Sequence, residues 1–364
     1  MNLNKTIYCI IYYMVNTNKI IDDDINLILH SDFPWNELSE KSFLISGANG
    51  VLPRYIVFTI LQQNRKNTKK SKVIALVKNK KHAEQVFHQY LADPCLKLIE
   101  NDLTNEIELD EKIDFIIHAA SYANPKHFSI DPIGTLLPNT IGTKNMLDLA
   151  RKKNVQSFLF FSSSEIYGQI SDELITESSV GWVDPLDLRS CYAESKRMGE
   201  NMCISWFKQY EIPVKIARIF HTYGPGIKLD DGRVFADFVS NVVNNHDIVI
   251  KSDGTAKRSF CYIVDATLAF FTILLKGKNG DAYNVANPDC YVTILELAKK
   301  ISSLFPEKKL KVIFDKQSID DEYIKSKIYL QNPDITKITK LGWTPKFSIE
   351  MGFTRTIMSY IKND

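Results

Sequence analysis

The stretch SFLISGANGVLP, residues 42–53, decides the fold. Ser42 to Ser46 is an apolar run of strand length, and the apolar helical spacing of Leu52 to Gln62 follows it across a glycine turn, so together they make a βα unit. Further short apolar runs stand at Lys72–Val77, Lys97–Ile99, Phe115–His118 and Ser157–Ser162, with helical patterns between them, notably Thr135–Lys152. Such strands alternating with helices predict a parallel sheet buried on both faces. The expected class is therefore α/β, a Rossmann doubly wound sheet over residues 41–225, preceded by an extension at 1–40. After residue 225 the elements shorten and polar turns multiply, which predicts a smaller C-terminal α+β lobe over 226–364 that mainly binds substrate.

Composition narrows the function. With 364 residues, 24% charged and 45% hydrophobic, the chain is an ordinary globular protein, and disorder, collagen and coiled coil are excluded. Lys+Arg 45 against Asp+Glu 43 leaves no basic excess for a nucleic-acid backbone. The 6 cysteines are scattered with no CxxC pair, which argues against a zinc site or a disulfide framework and for a reducing cytoplasm. The apolar run Ile7–Val15 is too short to span a bilayer and lacks the small-residue cleavage site of a signal peptide, so no membrane association is expected. Met14 within it is a possible alternative start.

The turn Gly47-Ala-Asn49-Gly50-Val51-Leu52-Pro53 sits where the first strand meets the first helix, the place where a dinucleotide pyrophosphate rests on helix N–H groups. A GxxGxxG pattern would put its third glycine at Pro53, so the chain departs there. After the second strand no carboxylate stands ready for ribose hydroxyls; Lys78, Lys80 and Lys81 stand there instead and could neutralise a 2′-phosphate. NADP is thus favoured, with NAD as the alternative. Asp102 and Leu103 would bracket the adenine, and Ala119 and Ala120 at the exit of the fourth strand complete the cofactor candidates.

Chemistry concentrates at Tyr192-Ala-Glu-Ser-Lys196, whose i, i+4 spacing puts a phenol and an ammonium on one helix face. A nearby cation is expected to lower the tyrosine pKa, so that the phenol exchanges protons with a substrate hydroxyl or carbonyl near neutral pH. Upstream, the cluster Ser162-Ser163-Ser164-Glu165 ends the fifth strand, where hydroxyls point into the ligand crevice.

These motifs together resemble the extended short-chain dehydrogenase/reductases that act on nucleotide sugars, over about residues 40–360. The stretches HAASYANPKHFSIDPIGT (118–135), SSSEIYG (162–168), RSCYAESKRMGENM (189–202), RIFHTYGPG (218–226), DDGRVFADF (230–238) and DGTAKRSFCY (253–262) resemble UDP-glucuronate decarboxylases most. The resemblance implies Ser163 on the reacting oxygen, Tyr192 as acid/base, Lys196 as its electrostatic partner and holder of the nicotinamide ribose, and Glu165 as a second acid/base or substrate anchor. It places Arg258 on the substrate diphosphate with Arg233 assisting, and Ser121, Ser164 and His221 against the substrate. No metal is implied.

Departures bear on the reaction. Decarboxylases of this group carry an arginine two residues before the proline of an RxPDI-like motif, where this chain reads Gln331-Asn-Pro333-Asp-Ile335, and His221 stands where they usually have asparagine. A glutamate at position 165 is compatible with 4,6-dehydration. The turn GANGVLP together with LILHSDFPWNELSE (27–40) resembles a subgroup of capsule gene clusters, often found with cytidylyltransferases. That implies NADPH-dependent reduction of a CDP-linked ketose to an alditol, CDP being favoured over UDP; a 4,6-dehydratase, decarboxylase or 4-epimerase retaining NAD is the alternative. A non-catalytic nucleotide-binding scaffold is the alternative of another class. Apolar residues on the two helical stretches (Met146, Leu147, Leu149; Met198, Met202, Trp206, Phe207) are consistent with the paired-helix homodimer of the superfamily, or with deeper core packing.

Overall fold

The computed structural model describes residues 19–315 and 332–361. The apolar run Ile7–Val15, with Cys9 and Met14, and Gln331 lie outside the described residues.

A helix at residues 19–29 (α1) precedes the sheet. The chain then runs β1 (Ser42–Ser46), α2 (Val51–Lys66), β2 (Lys72–Val77), α3 (Lys80–Val86), β3 (Leu96–Glu100) and β4 (Phe115–His118). It continues through α4 (Pro125–Ile130), α5 (Pro132–Asn139), α6 (Ile141–Lys153), β5 (Ser157–Ser163), α7 (Ser190–Tyr210) and β6 (Val214–Ile219). Every strand expected from the sequence is present, within a residue at each end. Among the described residues a 7-stranded sheet forms in the order β3-β2-β1-β4-β5-β6-β10, where β10 is Asp281–Val285. All its pairings are parallel. Strand order reverses between β1 and β4, and there Ser46 pairs with His118. This switch point opens the crevice in which doubly wound sheets bind ligands.

The helical pattern at Thr135–Lys152 is broken into α5 and α6 at Thr140, whose φ/ψ of −113°/−77° departs from ideal helical values. Pro138 inside α5 has no N–H to bond back one turn and its ring crowds that carbonyl, so the helix ends there and restarts. Met146, Leu147 and Leu149, read as possible dimer residues, lie in the core against the sheet, whereas Met198 on α7 is exposed.

The smaller lobe holds β7 (His221–Tyr223), α8 (Val234–Val243), β8 (Ile248–Ile250), β9 (Lys257–Tyr262) and α9 (Ile263–Lys276). After β10 it continues with β11 (Tyr291–Thr293), α10 (Ile294–Ser303), β12 (Val312–Phe314), α11 (Thr336–Thr339) and α12 (Ile349–Met358). A three-stranded sheet β11-β9-β7 and a two-stranded sheet β12-β8 form its framework. Strand β10 returns to the large sheet, so residues beyond 225 contribute to both units. None of the helices described is long and apolar enough to cross a membrane.

Candidate active site

One cavity of about 1180 Å³ runs from the glycine turn at the head of α2 to the arginines of the smaller lobe. Apart from Lys80 and Lys81, it brings together the site candidates read from the sequence, from Gly47 and Asp102 at one end, past Ser163, Tyr192 and Lys196, to His221, Arg233 and Arg258 at the other.

The glycine turn is shaped by a close crossing. Gly47 has φ +63°, and a Cβ there would lie 2.7 Å from the Cα of Ala120, so no side chain fits. Gly50 is the N-cap of α2 in extended conformation, and its N–H donates to the carbonyl of Gly47 at 2.8 Å. The N–H groups of Val51 and Leu52 follow in the first turn, where a helix offers no internal acceptor. Pro53 stands in that same turn, its missing N–H costs the helix nothing, and its ring is buried beside Gly50. The departure from a third glycine is thus absorbed without disturbing the helix. This cradle, with the buried and unpartnered Oγ of Ser121 and Oδ1 of Asn101 on the cavity wall, fits an extended phosphate-bridged dinucleotide.

A buried polar chain fixes the strand ends beneath it. Ser46 Oγ accepts the N–H groups of Ala119 and Ala120 at 3.1 and 3.2 Å and lies 2.7 Å from His118 Nδ1. His118 Nε2 lies 3.0 Å from Thr143 Oγ1, which itself donates to the carbonyl of Asn139 at 2.7 Å. Thr143 has then used its one proton, so His118 Nε2 donates and Nδ1 accepts from Ser46. Burial, reinforced by the charge of Lys196, pushes His118 down to about 3, which keeps this neutral tautomer.

Of the three lysines after β2, only Lys78 lines the cavity, and its Nζ pairs with Asp102 at 3.1 Å. Asp102 is further held by Thr104, whose N–H and hydroxyl donate to Oδ1 at 3.0 and 2.8 Å. Lys80 starts α3 and donates its N–H to Glu100, while Asn79 caps that helix and His82 Nδ1 lies 2.9 Å from Asn49 Nδ2.

At the centre, the Tyr192 phenol shares the cavity with Ser163, and its ring stacks on Phe128 at 5.0 Å and 14°. Ser163 Oγ accepts the N–H of Glu165 at 3.2 Å. Burial pushes Tyr192 up to about 12, opposed by Ser163 and the charge of Arg233. The expected lowering by Lys196 is not realised. The ammonium donates to the carbonyl of Phe161 at 2.6 Å and sits 5.9 Å from the Tyr192 ring centre. Burial pushes Lys196 itself down to about 7. Desolvation outweighs the pairwise charge for both groups.

Glu165 is clamped by Arg189, whose Nη2 donates to both carboxylate oxygens at 3.3 and 3.4 Å. Sequence reading missed Arg189. Its place at the N-cap of α7, one turn ahead of Tyr192, was the available signal. In the smaller lobe, Arg233 is ion-paired to Asp231, and Arg258 is buried with Nη1 on the carbonyl of Lys257 at 2.8 Å. His221 Nδ1 is buried without a partner among the described residues, and burial together with Arg258, Arg233 and Arg189 holds the imidazole well below its usual range. Arg258, Arg233 and Arg189 thus surround a neutral imidazole at this end of the cavity. No group of residues among those described could hold a metal ion.

A doubly wound sheet with a phosphate-binding turn at its switch point and a Ser-Tyr-Lys set in the same cavity defines a dinucleotide-dependent enzyme of the extended short-chain type. The NAD dependent epimerase/dehydratase family matches residues 43–286, and the chain belongs to that family. It is 32% identical over 316 residues to UDP-glucuronic acid decarboxylase 6 of Arabidopsis thaliana, spanning 86% of this chain and 87% of the relative. The fold superposes on UDP-glucuronic acid 4-epimerase from Bacillus cereus, solved with UDP-glucuronic acid and NAD, with TM-score 0.74 at 20% identity over 88% of this chain and 98% of the other. It likewise superposes on dTDP-glucose 4,6-dehydratase from Bacillus anthracis, solved with NAD, with TM-score 0.72 at 20% identity over 88% and 96%.

Proposed function

We propose that the protein carries out hydride chemistry at a hydroxyl-bearing carbon of a nucleoside-diphosphate sugar, with a nicotinamide dinucleotide that is retained through the cycle. The observation that carries this reading is that Ser163, Tyr192 and Lys196 lie in one cavity with both the glycine turn and Arg233 and Arg258. The dinucleotide, held by Gly47, Asn49, Gly50, Val51, Leu52, Ala119 and Ala120, would supply a hydride acceptor and donor. Ser163 holds the reacting oxygen, and Tyr192 as the phenolate takes its proton and later returns it. Burial disfavours that form, and the positive ring of an oxidised nicotinamide in the same cavity would favour it. Lys196 lies along the same helix face one turn on and orients the ribose. Arg258 and Arg233 grip the diphosphate, and Glu165, kept in place by Arg189, is the second acid/base across the sugar.

The curated relative and the Bacillus cereus structure favour UDP as the nucleotide and NAD as the cofactor. Epimerisation, 4,6-dehydration and decarboxylation all share this first oxidation, and Gln331 in place of the arginine of the resembling decarboxylases weighs against the last. A second reading, net reduction of a CDP-linked ketose by NADPH in capsule biosynthesis, draws on the lack of a carboxylate in residues 77–82. The pairing of Lys78 with Asp102 counts against it, because that ammonium already has its anion. The proposal carries with it a cytoplasmic location and a homodimer built on the exposed apolar residues Ile133, Leu137, Ile141 and Met198.

The test is absorbance at 340 nm with NADH or NADPH against UDP-, CDP-, GDP- and dTDP-linked sugars, with products weighed by mass spectrometry. Turnover without net loss of dinucleotide supports retained-cofactor chemistry, and the mass change separates loss of water, loss of carbon dioxide and isomerisation. Stoichiometric NADPH loss with a product two mass units heavier establishes the reductase instead. No turnover by wild type and Tyr192→Phe alike leaves a scaffold and refutes both.

A further inference from the structure

Arg54 stands in the second turn of α2, directly behind the first-turn N–H groups that face the cavity, and lines that cavity itself. Its side chain crosses to the loop after β7 and donates Nη2 to the carbonyl of Gly226. Gly226 makes the room: its φ is +86°, and a Cβ there would lie 2.3 Å from that Nη2. Arg54 Nε is buried with no partner, and among the described residues no carboxylate pairs with the guanidinium. Lys228 and the imidazole of His82 flank the same wall, and burial together with Lys228 and Arg54 disfavours a charge on His82.

A partly buried guanidinium left without an anion is costly. Here it lies beside a helix N-terminus that already favours negative charge. We propose that Arg54, seated over Gly226, is the clamp for the diphosphate bridge of the bound dinucleotide, an inference that rests on the dinucleotide reading above. Recognition of the adenosine 2′-position belongs elsewhere in such a fold, at the exit of β2, where Lys78 and Asn79 line the cavity. Gly226 is the complementary half of the device, because any side chain there displaces the fork from its seat.

Binding of NADH, NADPH, ADP-ribose and adenosine to the full chain, followed by ligand fluorescence or calorimetry, tests the clamp. Arg54→Met is expected to weaken NADH, NADPH and ADP-ribose alike, on the order of 10- to 100-fold for the loss of charge-assisted hydrogen bonds, and to leave adenosine unchanged. Arg54→Lys, which keeps the charge and loses the fork, falls between, and Gly226→Ala weakens the same ligands. Wild-type affinity for ADP-ribose in Arg54→Met overturns the clamp, and so does a loss confined to NADPH, which would place the guanidinium on a 2′-phosphate. Should Arg54→Met fail to fold, Arg54→Lys decides on the same ligands. Failure of the wild type to bind any dinucleotide strikes the functional reading itself, whereas wild-type binding with undiminished variants strikes only the role of Arg54.

Discussion

Arg355 donates Nε to Asp24 at 2.7 Å, tying α12 near the end of the chain to α1 near its beginning. The other oxygen of Asp24 accepts the hydroxyls of Tyr262 and Tyr55 at 2.7 and 3.0 Å, so one fully buried carboxylate joins α1, α2, β9 and α12. Burial raises its pKa while Arg355 and the two phenols pull it down, so the carboxylate depends on all three donors.

Asp24→Ala is therefore expected to destabilise the protein by about 3 kcal/mol, because two buried hydroxyls lose their acceptor and Arg355 loses its anion. Urea unfolding measures this, and Asp24→Asn, which keeps one acceptor oxygen, should cost less.

Tyr192→Phe keeps the ring stacked on Phe128 and removes the phenol hydroxyl from the cavity. Turnover should fall roughly 10²- to 10⁴-fold, the usual contribution of a positioned acid/base, with dinucleotide affinity unchanged. Steady-state rates beside a binding titration separate the two effects.

Arg189→Ala frees Glu165 from the Nη2 that holds both its oxygens and leaves the Tyr192 side chain itself in place. The expected result is a fall in kcat of about 10-fold or more with the melting temperature little changed, because a mispositioned group costs rate more than stability. A kcat equal to wild type would place Glu165 outside the chemistry.

Asp265, at the start of α9, accepts the N–H groups of Lys346 and Phe347, both at 2.9 Å, yet burial raises it from 3.8 to about 6. The folded state then holds the proton more tightly than the unfolded chain, so this contribution to stability is full below the unfolded pKa and is lost as pH rises through about 6. Compared with Asp265→Asn, the wild type should lose ~3 kcal/mol between about pH 4 and pH 7, at about 1.4 kcal/mol per unit. Paired urea curves across that window check the sign.

The large sheet was legible because it is written locally. Runs such as Phe43-Leu-Ile45 and Phe158-Leu-Phe-Phe161 are apolar throughout, as strands covered on both faces require, and the glycine turn between β1 and α2 is contiguous. The same holds for Ser163, Tyr192 and Lys196, which sit at a strand end and on one helix face. The split between α5 and α6 was hidden by a strong amphipathic pattern that Pro138 overrides.

The sequence by itself determined the α/β class, the strands that build the crevice, and the identity of most of the groups that line it, because hydrophobic period and turn chemistry act over a few residues. Only the tertiary structure decided which of those groups meet and in what charge state. Arg54 reaches Gly226 and Asp24 reaches Tyr55, Tyr262 and Arg355 across separations that no local spacing encodes. Lys196 and Tyr192 are adjacent on α7, yet burial sets them at about 7 and about 12, because desolvation depends on the whole enclosing cavity and pairwise spacing along a helix does not.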